Sequence, residues 1–186
     1  MTSTMTIAAR FTREEYLALP ESPPGVRFEL LDGELVTMND PLPVHQEAVV
    51  QLLVALVDWT RAGPDRGQVL LPIDTDIGPD TIFGPDLQWY ASGRDLPSKR
   101  ERPWPTGDLV IEVASPSTAR YDAEVKLGRY LGAGAREVWL LRTDPLGATV
   151  VREEDGRRRP VEHGADSALE SPLLPGFRFP LVDLQN

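Results

Sequence analysis

The sequence predicts an α/β (α+β) domain with a mixed central β-sheet flanked by helices and with hairpins at its periphery, and three observations carry that expectation. One is the run Asp108-Leu-Val-Ile-Glu112-Val-Ala114, whose β-branched and apolar residues have the composition of a strand buried on both faces. Another is the segment from about Val44 to Ala62, where Val49, Leu52, Leu53, Leu56, Val57 and Thr60 form a broad apolar face at helical spacing. The last is the order of elements: helix, hairpin, helix, several strands, helix, strand, hairpin. With 186 residues the chain is long enough for one proper core and short for two, so a single domain over residues 1–186 is expected.

Taken in order, Thr12-Arg-Glu-Glu15 opens the first helix as a capping box, with Tyr16, Leu17 and Leu19 as its buried side. Pro20 to Gly25 is rich in breakers and reads as a loop. Asp32-Gly33, between the apolar runs Val26–Leu31 and Glu34–Met38, is a hairpin signal. Glu29 lies in the first of those runs. Spacing alone makes it a charge at a strand edge, with Phe28 and Leu30 on the opposite face. The loop Asn39–Pro43 leads into the long helix, which Gly63-Pro64 stops and whose first turn holds His45. A lone His at a helix start is more often a solvated or capping residue than a ligand.

Gln68 to Ile77 reads as one strand with a bend, turning at Gly78-Pro-Asp80 toward Ile82-Phe83 and the strand that Asp86 opens. Asp74 and Asp76 alternate onto one face, which could bind a cation, although polar neighbours favour a solvated face. The most basic segment is the loop between Tyr90 and Gly107, with Arg94, Lys99, Arg100, Arg102 and, near its end, Trp104. It serves either as a cationic arm whose Arg94 and Arg100 touch a phosphate backbone while Trp104 stacks, or as a solvated loop balanced by Asp95 and Glu101.

Beyond Ser117 the period becomes helical through Val125, Leu127, Tyr130 and Leu131, with Ser117 or Thr118 as N-cap. Lys126 is thereby a helix residue with Asp122 one turn before it. The two form either an exposed pair worth about a few tenths of a kcal/mol or a lysine aimed back at carboxylates. Gly132-Ala-Gly134 ends this helix, and Arg136–Leu141 is another buried strand. Gly147–Glu153 and Arg157–Glu162 form a peripheral hairpin around Glu154-Asp155-Gly156, its Arg157-Arg-Arg159 run a solvated edge and His163 in a polar loop. Leu173 to Leu181 is an apolar closing segment that packs either on the sheet or on a second subunit, the latter arrangement making a homodimer.

Composition excludes several classes of function. No cysteine is present, which rules out disulfides and thiolate metal sites. Residues Met1–Arg10 lack the basic start and apolar stretch of a signal peptide, and Ala48–Val57, interrupted by Gln51, is far shorter than the roughly 20 residues that span a bilayer, so a soluble cytoplasmic protein is expected. There is no phosphate-cradling glycine loop, serine-centred elbow or paired-His metalloprotease motif. A net charge of −10 argues against strong non-specific binding to nucleic acid.

The chemistry converges on Glu112. A carboxylate inside a buried strand is costly unless it is paired, hydrogen-bonded or bound to a cation. If the Asp86 strand lies beside it, the two acids can face one pocket at the spacing a hard divalent cation needs.

Taken together, Phe28-Glu29-Leu-Leu-Asp32-Gly33-Glu34, Gly84-Pro85-Asp86, Asp108-Leu-Val-Ile-Glu112-Val-Ala-Ser-Pro-Ser-Thr118, Lys126, Tyr130, Arg136-Glu-Val-Trp139 and Leu174-Pro175-Gly176 resemble the Uma-type putative restriction endonucleases of the PD-(D/E)XK nuclease superfamily. The resemblance implies a restriction-endonuclease-like core and a metal-dependent endonuclease that hydrolyses DNA. It implies that Asp86 and Glu112 hold Mg²⁺ or Mn²⁺, that Lys126 positions the attacking water, that Glu29 holds a second metal or a metal-bound water, and that His45 hydrogen-bonds a phosphate or water. The superfamily pattern places its lysine two residues after the second acid, where Ala114 stands here; in proteins of this type it has moved onto the following helix, as Lys126. Two other classes compete. The missing lysine and the acidic charge suit a catalytically inactive binding or regulatory module on the same fold, and a structural or assembly protein would spread its acids over the surface.

Overall fold

Two mixed β-sheets and a two-stranded antiparallel ribbon near the end of the chain, with helices against them, make up the structure, a computed structural model that describes residues 10–20, 26–114, 119–154 and 156–185. The extreme N-terminus, most of the Pro20–Gly25 loop, the capping residues Ser117 and Thr118, and Asp155 of the last hairpin turn lie outside the described residues.

The elements follow in chain order. Helix α1 (Arg13–Leu17) precedes the hairpin of β1 (Val26–Leu31) and β2 (Glu34–Asn39), and α2 runs over Pro43–Arg61. Strands β3 (Gln68–Leu70), β4 (Thr75–Gly78), β5 (Thr81–Phe83), β6 (Leu87–Tyr90), β7 (Trp104–Pro105) and β8 (Leu109–Ala114) come next. A short helix α3 (Ala119–Tyr121), a π-helical turn (Asp122–Lys126) and α4 (Leu127–Gly132) run on continuously. Strands β9 (Glu137–Thr143), β10 (Leu146–Glu154), β11 (Arg157–Gly164), β12 (Ala168–Leu169) and β13 (Phe179–Pro180) and a closing 3-10 turn (Leu181–Gln185) complete the chain.

The larger sheet has the order β11-β10-β9-β8-β6-β3, antiparallel except for the β8–β9 pair. The smaller has the order β2-β1-β5-β4-β7, with β4 and β7 parallel. Side chains alternate across a strand, and β8 shows why it had to be apolar on both sides. Leu109, Ile111 and Val113 join Leu52 and Leu56 of α2, Trp139, Phe177, Leu181 and Leu184 in one core. Val110 joins Tyr130, Leu131, Val138, Leu140 and Phe83 in a second core, beneath α4. The apolar closing segment therefore packs on α2 and the sheet of its own chain. Among the described residues, no helix is long and apolar enough to cross a membrane.

Several local expectations hold for physical reasons. Thr12 and Glu15 form the reciprocal capping box. Asp32 and Gly33 both take positive φ, 49° and 83°, as a two-residue hairpin turn of the type that matches strand twist requires. Gly67 has φ +72°, and a Cβ there would lie 2.0 Å from the Tyr90 carbonyl oxygen, so only glycine lets β3 start beside the end of β6.

Other expectations need correction. Tyr16, Leu17 and Leu19 are only half-buried, because α1 is a single turn. Gln68–Ile77 is two strands in different sheets, β3 against β6 and β4 against β5; Pro72, which has no N–H to give a ladder, lies in the break. His163 is half-buried within β11, opposite Ala148. The last hairpin is peripheral as expected: β10 pairs with β9, and the exposed β11 is the edge of the larger sheet.

Candidate active site

The pairing of β6 with β8 brings the two acids together. Leu87 is opposite Ile111, which sets Asp86, one residue before β6, beside Glu112. By alternation Glu112 shares the face of Val110, so it points away from α2 and toward the layer formed by α4 and the smaller sheet. Onto the same face come Glu29 from β1 and Lys126 from the π-helical turn. These groups are almost sealed from water: Lys126 and Glu29 are 1% exposed, Glu112 and Asp122 3%, and Asp86 7%.

Lys126 is the hub. Its Nζ donates to Glu29 Oε1 at 2.8 Å and to Glu112 Oε1 at 3.2 Å, with Asp122 Oδ1 at 3.7 Å. It also lies 5.5 Å and 5.4 Å from the ring centres of Phe83 and Tyr121, where the aromatic faces favour a cation. The Tyr130 hydroxyl donates to Glu112 Oε1 at 2.6 Å. Glu29 Oε1 accepts from the Gly84 N–H at 3.0 Å, which ties β1 to the Gly84-Pro85-Asp86 turn. Asp86 Oδ2 accepts from the Val113 N–H at 2.8 Å and stands 3.1 Å from His45 Nε2, in the first turn of α2. The Asp86 N–H approaches Glu112 Oε2 at 3.4 Å.

The charges are unbalanced, and proton affinities follow. Three carboxylates, Glu29, Glu112 and Asp122, surround one ammonium, and Asp86 stands beside Glu112. Burial pushes the Glu112 carboxyl up to about 8, with Lys126 opposing and Asp86, Asp122 and Glu29 adding to the rise. For Lys126 burial works against the charged form, but Glu112, Glu29 and Asp122 outweigh it and hold the ammonium firmly protonated. Asp86 is also penalised by burial, yet the His45 hydrogen bond, the His45 charge, the Val113 N–H and the charge of Arg27 together keep its carboxyl below the ordinary range. Burial and Glu112 raise the Tyr130 hydroxyl well above its usual value, so it remains a donor.

The arrangement can be tested against a hard cation. Glu112 Oε1 is occupied by Lys126 and Tyr130, and Asp86 Oδ2 by Val113 and His45. Asp86 Oδ1 has no hydrogen bond among the described residues, and Glu112 Oε2 has only the long contact to Asp86 N. Glu29 Oε2 is buried with no hydrogen-bond partner among the described residues. Among the described residues no group of three His, Asp or Glu side chains is arranged to hold a metal alone. Two adjacent carboxylates fit the habit of Mg²⁺, which keeps several waters and completes its shell with substrate oxygens.

Of the residues predicted from sequence, Asp86, Glu112, Lys126, Glu29 and His45 are thus brought together. Arg94 is not: it pairs with Asp108 Oδ2 at 3.1 Å and stacks over Tyr90, at the far ends of β6 and β8 from the two acids. Arg100 is an exposed loop residue with no described contact to the carboxylates. Trp104 is buried in β7, edge-on to Tyr90, and has no free face for a base. Asp74 pairs with Arg102 and Asp76 with Arg13, so the competing acid pair serves to fasten α1 and the loop to the smaller sheet. Glu29 is a buried partner of Lys126, not an edge charge, because β1 is an inner strand of the smaller sheet, between β2 and β5, and the Lys126 turn covers the face that bears Glu29. Asp122 and Lys126 are likewise buried together instead of forming a surface pair.

Sequence reasoning missed Tyr130 and Asp122 as members of this cluster. Both lie four residues from Lys126, which is one helical turn, and that spacing was the available signal.

Comparisons with known proteins agree with this geometry. No curated protein matches. The crystal structure of a putative nuclease belonging to DUF820 from Anabaena variabilis superposes with a TM-score of 0.78, covering 94% of this chain and 97% of that one at 18% identity, which is a likeness of fold. Residues 13–182 match the family described as Uma2, putative restriction endonuclease. That match spans nearly the whole chain and includes every residue of the acidic cluster, and the chain belongs to the Uma2 family of putative restriction endonucleases.

Proposed function

We propose that the chain is a metal-dependent nuclease that hydrolyses DNA phosphodiester bonds at the cluster of Asp86, Glu112, Lys126 and Glu29. The observation that carries this reading is the convergence of Asp86 and Glu112, on paired strands, with a lysine delivered from a helix. A divalent ion bound there, Mg²⁺ or Mn²⁺, would polarise the scissile phosphate and lower the pKa of the attacking water.

The chain's own residues divide the remaining work. Asp86, locked by Val113 N–H and His45, offers Oδ1 as a ligand, and Glu112 offers Oε2. Tyr130 fixes the Glu112 rotamer from the other side. Lys126 is positively charged throughout the physiological range, so it donates hydrogen bonds and offsets charge growing on the phosphate; it does not abstract a proton. Glu29, with an unpartnered buried oxygen, is placed to orient a water. Where the superfamily carries a lysine two residues after the second acid, this chain has Ala114, and an ammonium reaching Glu112 from outside the strand supports Lys126 as its replacement.

A second reading has its own observation. Lys126 already occupies Glu112 Oε1 and Glu29 Oε1, and a lysine can substitute for a cation in a fold that no longer cuts. Plasmid nicking separates the two. With Mn²⁺ present, the wild-type chain should convert supercoiled DNA to open circles, and folded Asp86→Asn and Glu112→Gln variants should lose most of that activity. Equal nicking by all three would assign the activity to a contaminant and leave the silent module as the better account.

A further inference from the structure

We propose that Arg27 is the substrate-binding residue that grips a phosphate of the nucleic-acid strand beside the acidic cluster, a role that rests on the nuclease reading above. The structure supplies the placement. Arg27 is two residues before Glu29 on β1 and therefore on the same face of that strand. Leu30 is opposite Ile82 in the antiparallel β1–β5 pair, and following that register outward three residues on each side sets Arg27 against Pro85. Contact agrees with register: the Arg27 guanidinium carbon is 4.0 Å from where a Cβ on Gly84 would be. The absent side chain of Gly84 thus leaves space for the guanidinium over the Gly84-Pro85-Asp86 turn.

What distinguishes Arg27 is that its head stands over the turn before Asp86, where its charge acts on that carboxylate, with no ion pair or hydrogen bond to fix it among the described residues. Arg13, Arg94, Arg102, Arg129 and Arg152 are each spent on an aspartate or glutamate. Arg27 is exposed and makes no hydrogen bond or ion pair among the described residues, although the chain carries a net charge of −10. It does not pair with Asp86, because that carboxylate is turned inward to Val113 and His45. Arg27 also lines a neighbouring cleft of about 190 Å³ with Tyr16, Phe28, Asp74 and Arg102, which none of the clustered acids lines. An exposed planar donor fork held over the turn that precedes Asp86 suits a phosphodiester: it offers bidentate hydrogen bonds and offsets the repulsion a polyanion meets on approach.

The same geometry gives Arg27 a second, opposite effect. Its positive charge near Asp86 disfavours a divalent ion in the absence of DNA, so removing it should help the metal and harm the substrate. No purely structural role predicts that pair of signs.

The test uses the full chain with Ca²⁺ as a cleavage-silent cation and a fluorescein-labelled DNA duplex, followed by anisotropy over a series of NaCl concentrations. Wild type, Arg27→Gln, Arg27→Lys and the distant control Arg157→Gln are compared, and Mn²⁺ affinity is measured separately by calorimetry. Loss of one phosphate contact should lower the slope of log K against log salt by about 0.9 for Arg27→Gln and weaken binding regardless of sequence. Arg27→Lys should restore the slope, Arg157→Gln should leave it unchanged, and Mn²⁺ should bind Arg27→Gln at least as tightly as wild type. DNA binding by the wild type that Arg27→Gln leaves unaltered in slope and affinity would overturn this assignment alone. No DNA binding by the wild type would overturn the nuclease reading and this assignment with it.

Discussion

At the scale of residues, the consequential fact is a lysine with almost no water around it, held by carboxylates that share its isolation. Removing one member of a buried ion pair costs more than the pair contributes, because the survivors stay buried and unpaired. Lys126→Met should therefore lower stability by about 3–5 kcal/mol in urea unfolding, far more than an exposed Asp122–Lys126 pair could account for. An unchanged midpoint would contradict the burial described. Glu112 gives a pH signature. Its folded carboxyl binds a proton up to about pH 8 while an unfolded glutamate releases it near its ordinary value of 4.5. Between those values the native state holds more protons than the unfolded state, so this group's contribution is full at acid pH and declines as pH rises through 8. The decline is at most about 1.4 kcal/mol per pH unit. Comparing urea midpoints from pH 5.5 to 8.5 should show that slope in wild type and a flatter line in Glu112→Gln; identical slopes would mean that Glu112 is ionised throughout.

Elements explain how residues so distant in sequence meet, and how much of this was legible beforehand. The β-branched run around Glu112, the Asp-Gly hairpin turn and the periodic face of α2 were readable because each rests on local stereochemistry or period. The division of Gln68–Ile77 between two sheets was not, since a kink at Pro72 bends a strand or ends it depending on what lies opposite. The basic loop left two alternatives open for a similar reason: its charges were visible, whereas their partners Asp74 and Asp108 depend on which end of β6 the loop returns to. Lys126 had a structural cue hidden from period analysis. The Leu127 N–H bonds back to the Asp122 carbonyl, five residues away, so the helix carries one extra residue just where the lysine points inward. Deleting the exposed Ala123 should restore α-helical spacing and rotate the flanking residues by about 100° relative to one another. Nicking should then be lost, with far-UV circular dichroism close to wild type. Full activity in the deletion variant would show that the inserted residue does not position Lys126.

The whole molecule carries charge of the sign that repels its proposed substrate, −10 overall, with three acids around one lysine and Asp86 beside them. Duplex DNA should bind weakly in EDTA, and Ca²⁺ should strengthen binding by about tenfold or more, with a steep loss on raising NaCl. Binding that is indifferent to divalent ions would place the DNA elsewhere on the surface. The account as a whole depends on Asp86 and Glu112 acting as one cation site, and calorimetric titration of Mn²⁺ into the metal-free chain tests that most directly. One saturable binding event in wild type, greatly weakened in both Asp86→Asn and Glu112→Gln, is the predicted result. No heat of binding in wild type, or an isotherm that neither substitution alters, would contradict it.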